Sequence, residues 1–290
     1  MKPAIPLSFG STIAMVFASM AALVATFWPW FLPAGTNYNA VSSTALLMIL
    51  LPIMMLLVLA QLTSGAMDAK AIAVLGVLAA LIAALRPLGS GVGGVETVFF
   101  LMILAGRAFG PGFGFALGGV SILASALLTG GVGPWLGMQM VCSAWIGAGA
   151  GLLPRRLGQR PVGPRFELAM LAGYGVVAAY LFGALMNLWY WPALAGAGAQ
   201  ASGIGFVPGA PFSQNLSHFI SFTLLTSTTS WDTVRAVTSA GAILLLGRPI
   251  LQLLGRASRK AAFDAAVPAM STTGPNWLGD VVIIRQSELR

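Results

Sequence analysis

Few side chains in this chain could carry out chemistry, and they are scattered along it. The 290 residues include only seven acids and one histidine. The sequence contains no His-Glu-x-x-His zinc motif, no Cys-x-x-Cys pair and no Gly-x-x-x-x-Gly-Lys-Ser/Thr phosphate loop. We therefore predict no catalytic residue, no metal ligand and no cofactor, and we do not expect the chain to hydrolyse ATP by itself.

The first group of candidate binding residues surrounds two glycine-rich turns. Arg86 and Glu96 flank the first turn, where they could form a salt bridge that fixes the turn or could bind a ligand. Trp135 follows the second turn, and Gln139 lies one helical turn further on. The glycines leave backbone amides free at a helix start, where they could bind polar groups of a ligand, although a turn that needs small residues explains them equally well.

The second group lies late in the chain. Asn187 and Trp189 belong to an aromatic cluster, which is typical of a membrane interface but could also stack on a flat heterocycle. His218 lies within 215–225, where apolar residues recur at helical spacing and predict an interfacial helix. This helix falls in a long predicted outer loop, 193–231, which could close over a ligand. A satisfied surface histidine is the alternative role for His218.

The elements that must position these residues are membrane helices. With 58% hydrophobic and 8% charged residues and a mean hydropathy of +0.89, the chain cannot cover a water-facing surface. A spanning helix needs about 20 mostly apolar residues. We predict an all-α polytopic fold with eight spans, at 11–32, 45–62, 71–85, 96–105, 113–128, 135–153, 168–191 and 234–254. The fourth run is short, so it either extends back through the glycines or forms a broken helix buried in protein.

The basic residues predict the orientation of these spans. Lys and Arg accumulate in cytoplasmic loops, and eight spans with both termini in the cytoplasm leave only Arg86 and Arg235 at the outer face. The net charge of +8 is explained by this topology and by anionic lipid, and it does not indicate nucleic-acid binding. The first run is long enough to be a retained span, so we expect no cleaved signal.

The composition also suggests three regions. We predict an N-terminal transmembrane hairpin at 1–67, a six-helix core at 68–260 and a cytoplasmic tail at 261–290. The first core helix carries two pairs of small residues four apart, which let another helix approach closely. Packing inside the chain explains such pairs as well as a partner does. These residues are Ala79, Ala83, Ala80 and Ala84.

Several motifs in the core resemble a known family. The block 85–154 opens within Ala-Leu-Arg-Pro and contains Phe-Gly-Pro-Gly-Phe-Gly, Gly-Gly-Val-Gly-Pro-Trp and Trp-Ile-Gly-Ala-Gly-Ala-Gly. A later segment reads Met-Asn-Leu-Trp-Tyr-Trp-Pro. This pattern resembles the S component, the substrate-binding membrane subunit, of energy-coupling-factor (ECF) transporters of the actinobacterial type. The N-terminal hairpin is a departure from the minimal six-helix family.

The resemblance implies a function. An S component captures a vitamin or related micronutrient from outside and docks onto a membrane coupling subunit with two cytoplasmic ATPases, using an alanine-rich first core helix that corresponds to the four alanines above. The aromatic outer end would suit a bulky ligand such as cobalamin or another corrinoid, while thiamine, a pteridine or another heterocycle stays open. The alternatives are a stand-alone secondary transporter or a membrane-embedded enzyme or scaffold. We expect a plasma-membrane protein that is not an enzyme.

Overall fold

The computed structural model describes residues 9–27, 69–89, 95–194 and 202–264, together with residues 30, 53, 67 and 93. The second predicted span, apart from residue 53, lies outside the described residues. Most of the connection within the predicted hairpin and most of the predicted tail at 261–290 also lie outside the described residues. The predictions of eight spans and of an added N-terminal hairpin therefore stay predictions.

The described part of the chain is almost entirely helical. Its elements in order are α1 (Phe9–Thr26), α2 (Ala69–Gly89), α3 (Phe99–Phe109), α4 (Pro111–Thr129), α5 (Leu136–Leu152), β1 (Arg156–Leu157), β2 (Arg160–Pro161), α6 (Pro164–Leu194), α7 (Phe212–Thr223), a π-helical segment (Leu224–Asp232) and α8 (Thr233–Asp264). Four helical stretches are long and apolar enough to cross a membrane: α2, α4, α6 as far as Pro192, and the run from α7 through α8 as far as Ser258. This confirms the predicted class of helical membrane protein.

The weak fourth run forms a short helix buried in protein. Helix α3 has 11 residues, nine of which are buried, and the residues just before it at 95–98 are not helical. It therefore does not extend back through the glycines, and the alternative of a short helix enclosed by the bundle is the one observed. Gly110, at a φ of 110°, then joins α3 to Pro111 at the start of α4 with no further loop residue. This confirms the predicted tight turn.

Helices α4 and α5 approach each other more closely than side chains allow. A Cβ atom added at Gly114 or Gly118 of α4 would collide with the backbone of α5 at Gly147 or Ser143. The same holds in reverse for Gly147, whose Cβ would meet the backbone of Gly114. Small residues four apart thus let the two backbones touch, which is a main source of attraction between helices in lipid.

The prediction of an outer loop at 193–231 is wrong for the second half of that range. Helix α7 begins at Phe212 and continues through the π-helical segment into α8, so the predicted interfacial helix is the first part of a longer one. The 47 residues from Phe212 to Ser258 span about 70 Å at helical rise, more than twice the hydrocarbon thickness of a bilayer. Threonine hydroxyls support the π-helical segment, because Thr226 donates to the Phe222 carbonyl (2.7 Å) and Thr233 donates to the Thr228 carbonyl (2.7 Å).

Candidate functional site

Most of the candidate polar residues lie at one end of the helical bundle. Helices α2, α4 and α6 end there, and α3, α5 and α8 begin there. Two hydrogen bonds connect these helix ends. The Thr97 hydroxyl donates to the Leu85 carbonyl (2.9 Å), and the Trp189 indole donates to the Pro134 carbonyl (3.3 Å). We call this the outer end, after the orientation that the basic residues predict.

Arg86 and Gln139 lie together at the outer end, as members of the same predicted site. The Arg86 guanidinium donates to the Gln139 Oε1 atom at 3.0 Å and lies 3.5 Å from the Ser125 hydroxyl. This contact ties the end of α2 to the end of α4 and the start of α5. Both predicted residues therefore hold three helices together in this conformation.

Glu96 forms an ion pair with Arg235 of α8, a partner that the sequence did not indicate. Its Oε2 atom lies 3.6 Å from the Arg235 Nε atom, while its Oε1 atom accepts the Val98 amide at 3.1 Å. The Glu96 amide in turn donates to the Thr238 hydroxyl at 3.1 Å. Glu96 thus fixes the start of α3 against α8.

Arg235 is the centre of a buried charge cluster that the sequence analysis did not identify. Its Nη1 atom donates to the Asp232 carboxylate at 2.6 Å, and its guanidinium carbon lies 5.0 Å from the Phe182 ring centroid and 5.9 Å from that of Phe99. Both rings are within the range of a cation–π contact. The distance to Glu96 is too long for a hydrogen bond, so the Nε atom has no acceptor among the residues that the structure describes.

Asp232 lies at the end of the π-helical segment and is fully buried. Its Oδ1 atom accepts from Arg235, and its Oδ2 atom accepts from the Ser227 hydroxyl at 2.8 Å. Its carboxylate lies directly against Gly183 of α6, where any Cβ atom would overlap it. A buried acid, an arginine and a hydroxyl therefore meet at the point where α8 crosses α6.

A cleft of about 440 Å³ opens beside this cluster, between α6 and the π-helical segment. Helix α6 contributes Phe182, Met186 and Asn187 to its wall. The Asn187 Nδ2 atom is shielded from solvent and has no hydrogen-bond partner in the described part of the chain. A buried amide donor without an acceptor among the described residues is uncommon, so Asn187 is a candidate donor to a ligand. Of the predicted binding residues, Asn187 is the one that lines this cleft.

The opposite wall of the cleft mixes hydroxyl groups with aromatic side chains. Thr226, Ser227 and Trp231 of the π-helical segment line it, together with Phe222 of α7 and Arg235. A π-helix is rare, and where it occurs it often marks a functional site. The wall thus combines hydrogen-bonding groups with flat apolar surfaces.

The other predicted binding residues lie away from this cleft and have protein partners. Trp189 is 2% exposed and bonds to the α5 entry turn, as described above. Trp135 lies edge-on to Tyr190, with ring centroids 6.3 Å apart. The His218 Nδ1 atom lies 2.8 Å from the Gly205 carbonyl, which fits the alternative of a satisfied histidine.

The predicted docking alanines divide into two pairs. Ala79 and Ala83 are buried inside the chain, because α2 turns this face toward α4 and the core. Their burial favours the alternative of packing inside the chain for this pair, and docking to a partner stays a prediction. Ala80 and Ala84 are exposed on another face of α2.

The end opposite the cleft has a structural ion pair of its own. Arg107, 4% exposed, donates to Glu167 at 2.8 Å and to the Leu153 carbonyl at 2.8 Å. In the described ranges, no three His, Cys, Asp or Glu side chains come close enough together to hold a metal ion. No protein-family model, curated protein or solved structure matches the chain.

Proposed function

We propose that the chain is the substrate-capturing S component of an ECF-type ABC importer. It binds a vitamin-like small molecule at its outer end and hands it to a membrane coupling subunit with two cytoplasmic ATPases. It resides in the plasma membrane with both termini in the cytoplasm, and it binds its substrate without transforming it. The observation that carries this proposal is the outer-end cleft with an unpaired Asn187 amide, in an apolar helical chain whose sequence has no phosphate loop.

The lining of the cleft suits a small, flat molecule that carries hydrogen-bond acceptors. Within the described part of the chain, the Asn187 Nδ2 atom and the Arg235 Nε atom are two donors without an acceptor. Phe182 and Trp231 supply apolar ring surfaces, on which heterocycles stack favourably. A volume of about 440 Å³ corresponds to about 15 water molecules at roughly 30 Å³ each. This favours a heterocycle of thiamine or pteridine size over a corrinoid.

A coupling partner is supported by the exposed face of α2. Ala80 and Ala84 lie four residues apart on that face, and a Cβ atom added at Gly76 would have nothing within 4 Å. A helix of a coupling subunit would be able to approach this surface closely. The docking face is therefore assigned to Ala80 and Ala84 alone.

A second candidate function, an ion-driven carrier, is favoured by one observation. Asp232 is a fully buried carboxylate within a helical run that is long and apolar enough to cross a membrane, and buried acids often couple ion movement to transport. Its two hydrogen bonds to Arg235 and Ser227 favour a fixed structural charge instead. Proteoliposomes that contain only this chain separate the two functions. Binding without uphill uptake supports an S component, and uptake driven by an ion gradient supports a carrier.

The direct test is to identify the ligand. The full-length protein is purified in detergent, and any retained small molecule is identified by mass spectrometry, for the wild type, Asn187→Ala and Gln214→Ala. Gln214 is an exposed amide side chain on α7 outside the cleft, so it serves as the control. We expect one vitamin-like compound in the wild type and in Gln214→Ala, and a loss of about two- to tenfold in Asn187→Ala, the worth of one hydrogen bond. Equal occupancy in all three proteins would refute the cleft as the site.

A further inference from the structure

A second groove lies at the basic end of the bundle, opposite the outer cleft. Its volume is about 480 Å³, and it opens between the start of α6 and the second half of α8. Glu167 and Leu168 form one side, and Leu251 lies on the other. Arg248 and Arg256 border it from α8. Neither the outer cleft nor the proposed import function makes use of this groove.

The groove is positively charged, and its cations are free to bind an anion. Arg248 and Arg256 are exposed, and neither forms a hydrogen bond or an ion pair with any residue that the structure describes. The one acid of the groove, Glu167, is neutralised by the buried Arg107 at 2.8 Å. Arg155 lies close enough to interact electrostatically with both Arg107 and Glu167. The groove therefore carries a net positive charge and two unengaged guanidinium groups.

The arrangement of α8 places these cations at the edge of an apolar surface. Residues 248, 252 and 256 are four apart, so Arg248, Gln252 and Arg256 follow one another along one face of the helix. One turn before Arg248, toward the outer end, Leu244 and Leu245 are 55% and 80% exposed. Arg235 and Arg256 are about 32 Å apart along the helix, close to the hydrocarbon thickness of a bilayer. Arg256 thus lies at the depth where lipid headgroups begin, and Arg248 lies about 12 Å deeper along the helix, next to the exposed leucines.

We propose that this groove binds the phosphate of an anionic phospholipid, with the acyl chains lying along Leu244 and Leu245. Guanidinium groups form paired, charge-assisted hydrogen bonds to phosphate oxygens, and anionic lipids are concentrated in the cytoplasmic leaflet. Arg248 and Arg256 bind the phosphate from two levels of the same helix face. Gln252 lies between them and supplies an amide donor. A zwitterionic lipid carries an added positive group that these arginines repel.

The test measures lipid retention by native mass spectrometry of the full chain in detergent. Phosphatidylglycerol and phosphatidylcholine with identical acyl chains are supplied separately, and inorganic phosphate is then added as a competitor. The variant is Arg248→Gln with Arg256→Gln. The matched control is Arg160→Gln with Arg165→Gln. It removes two exposed arginines that lie outside the groove at the same end of the helical bundle.

We expect phosphatidylglycerol adducts on the wild type and the control, and adducts about thirtyfold weaker on the groove variant, given the contribution of each of its two arginines near an anionic surface. Replacing both groove arginines with lysine retains the charge and should preserve part of the binding, which separates loss of charge from loss of folding. Equal retention of the two lipids, or an equal loss in the control, would overturn the proposal. Complete displacement by inorganic phosphate would assign the groove to free phosphate and also overturn it.

Discussion

Replacing Gly183 with alanine tests whether the buried charge cluster depends on close contact between α6 and Asp232. Gly183 has ordinary helical backbone angles, so alanine fits the helix itself, but its Cβ atom would overlap the Asp232 carboxylate. Asp232 must then move away from α6. Its hydrogen bonds to Ser227 (2.8 Å) and Arg235 (2.6 Å) are short, so this movement strains or breaks at least one of them.

The expected magnitude follows from three contributions. Alanine in place of glycine stabilises a helix by up to about 1 kcal/mol. Overpacking costs about 1–3 kcal/mol, and loss of one hydrogen bond to a charged group costs about 1.5–3 kcal/mol. The unfavourable contributions dominate, so we expect Gly183→Ala to lower the free energy of unfolding by about 2–5 kcal/mol. We also expect it to distort the wall of the outer cleft.

Gly173→Ala is the matched control for this experiment. Gly173 lies on the same helix, and a Cβ atom there meets nothing within 4 Å. Unfolding of both variants is followed in detergent as denaturant is added, and ligand retention is measured in parallel. We expect Gly173→Ala to be neutral or slightly stabilising and to retain ligand, whereas Gly183→Ala loses both stability and ligand. Equal stability of the two variants would refute the contact between Gly183 and Asp232.

Three further predictions concern packing, charge and docking. Gly147→Ala should lower the free energy of unfolding by about 1–3 kcal/mol, because its Cβ atom would meet backbone that cannot rotate away. Denaturation in detergent compares it with Gly76→Ala, which should not lower the free energy of unfolding. Glu167→Gln should destabilise the protein by about 3 kcal/mol by leaving a buried arginine without its counter-charge, and an unchanged melting temperature would contradict this. The double variant Ala80→Trp with Ala84→Trp should abolish cellular uptake and copurification with a coupling subunit, while ligand affinity stays within a few-fold of the wild type. Uptake that survives in this variant would show that this face is not the docking surface.

Hydropathy and turn residues predicted the helices well where each helix has one plain apolar run. The predicted spans 71–85, 113–128, 135–153 and 168–191 each lie within a few residues of the observed ends of α2, α4, α5 and α6. The turn at Gly110 was predictable because Pro111 can begin a helix and glycine accepts a positive φ. Length and apolar content determine such features locally.

The helical run before α8 was not predictable in the same way. Its Ser and Thr residues compete for backbone hydrogen bonds and are typical of loops, so the sequence indicated a lid where the chain stays helical. In the structure, Thr226 and Thr233 donate to carbonyls four and five residues earlier. A π-helical segment also changes which side chains share a face, and no residue pattern reveals that beforehand.

The candidate site was found in part. Arg86 and Gln139 were predicted as members of one site, and they are in contact. The partner of Glu96 was not predicted, because Arg235 lies far along the chain and only the packing of α3 against α8 brings the two together. Asp232 was not predicted as a member of the site, because its burial depends on the missing side chain of Gly183 on another helix.

Pro249 interrupts the helical hydrogen bonding in the middle of α8. It has no amide hydrogen, so the carbonyl four residues earlier receives no helical hydrogen bond and the helix bends most easily there. Arg235 lies on the outer side of this hinge, and Arg256 lies on the inner side. A bend at Pro249 would change the direction of the inner half of α8 relative to the outer cleft. Because Arg248 adjoins Pro249, such a bend would also alter the spacing of Arg248 and Arg256, while the contact between Arg235 and Asp232 lies on the other side of it.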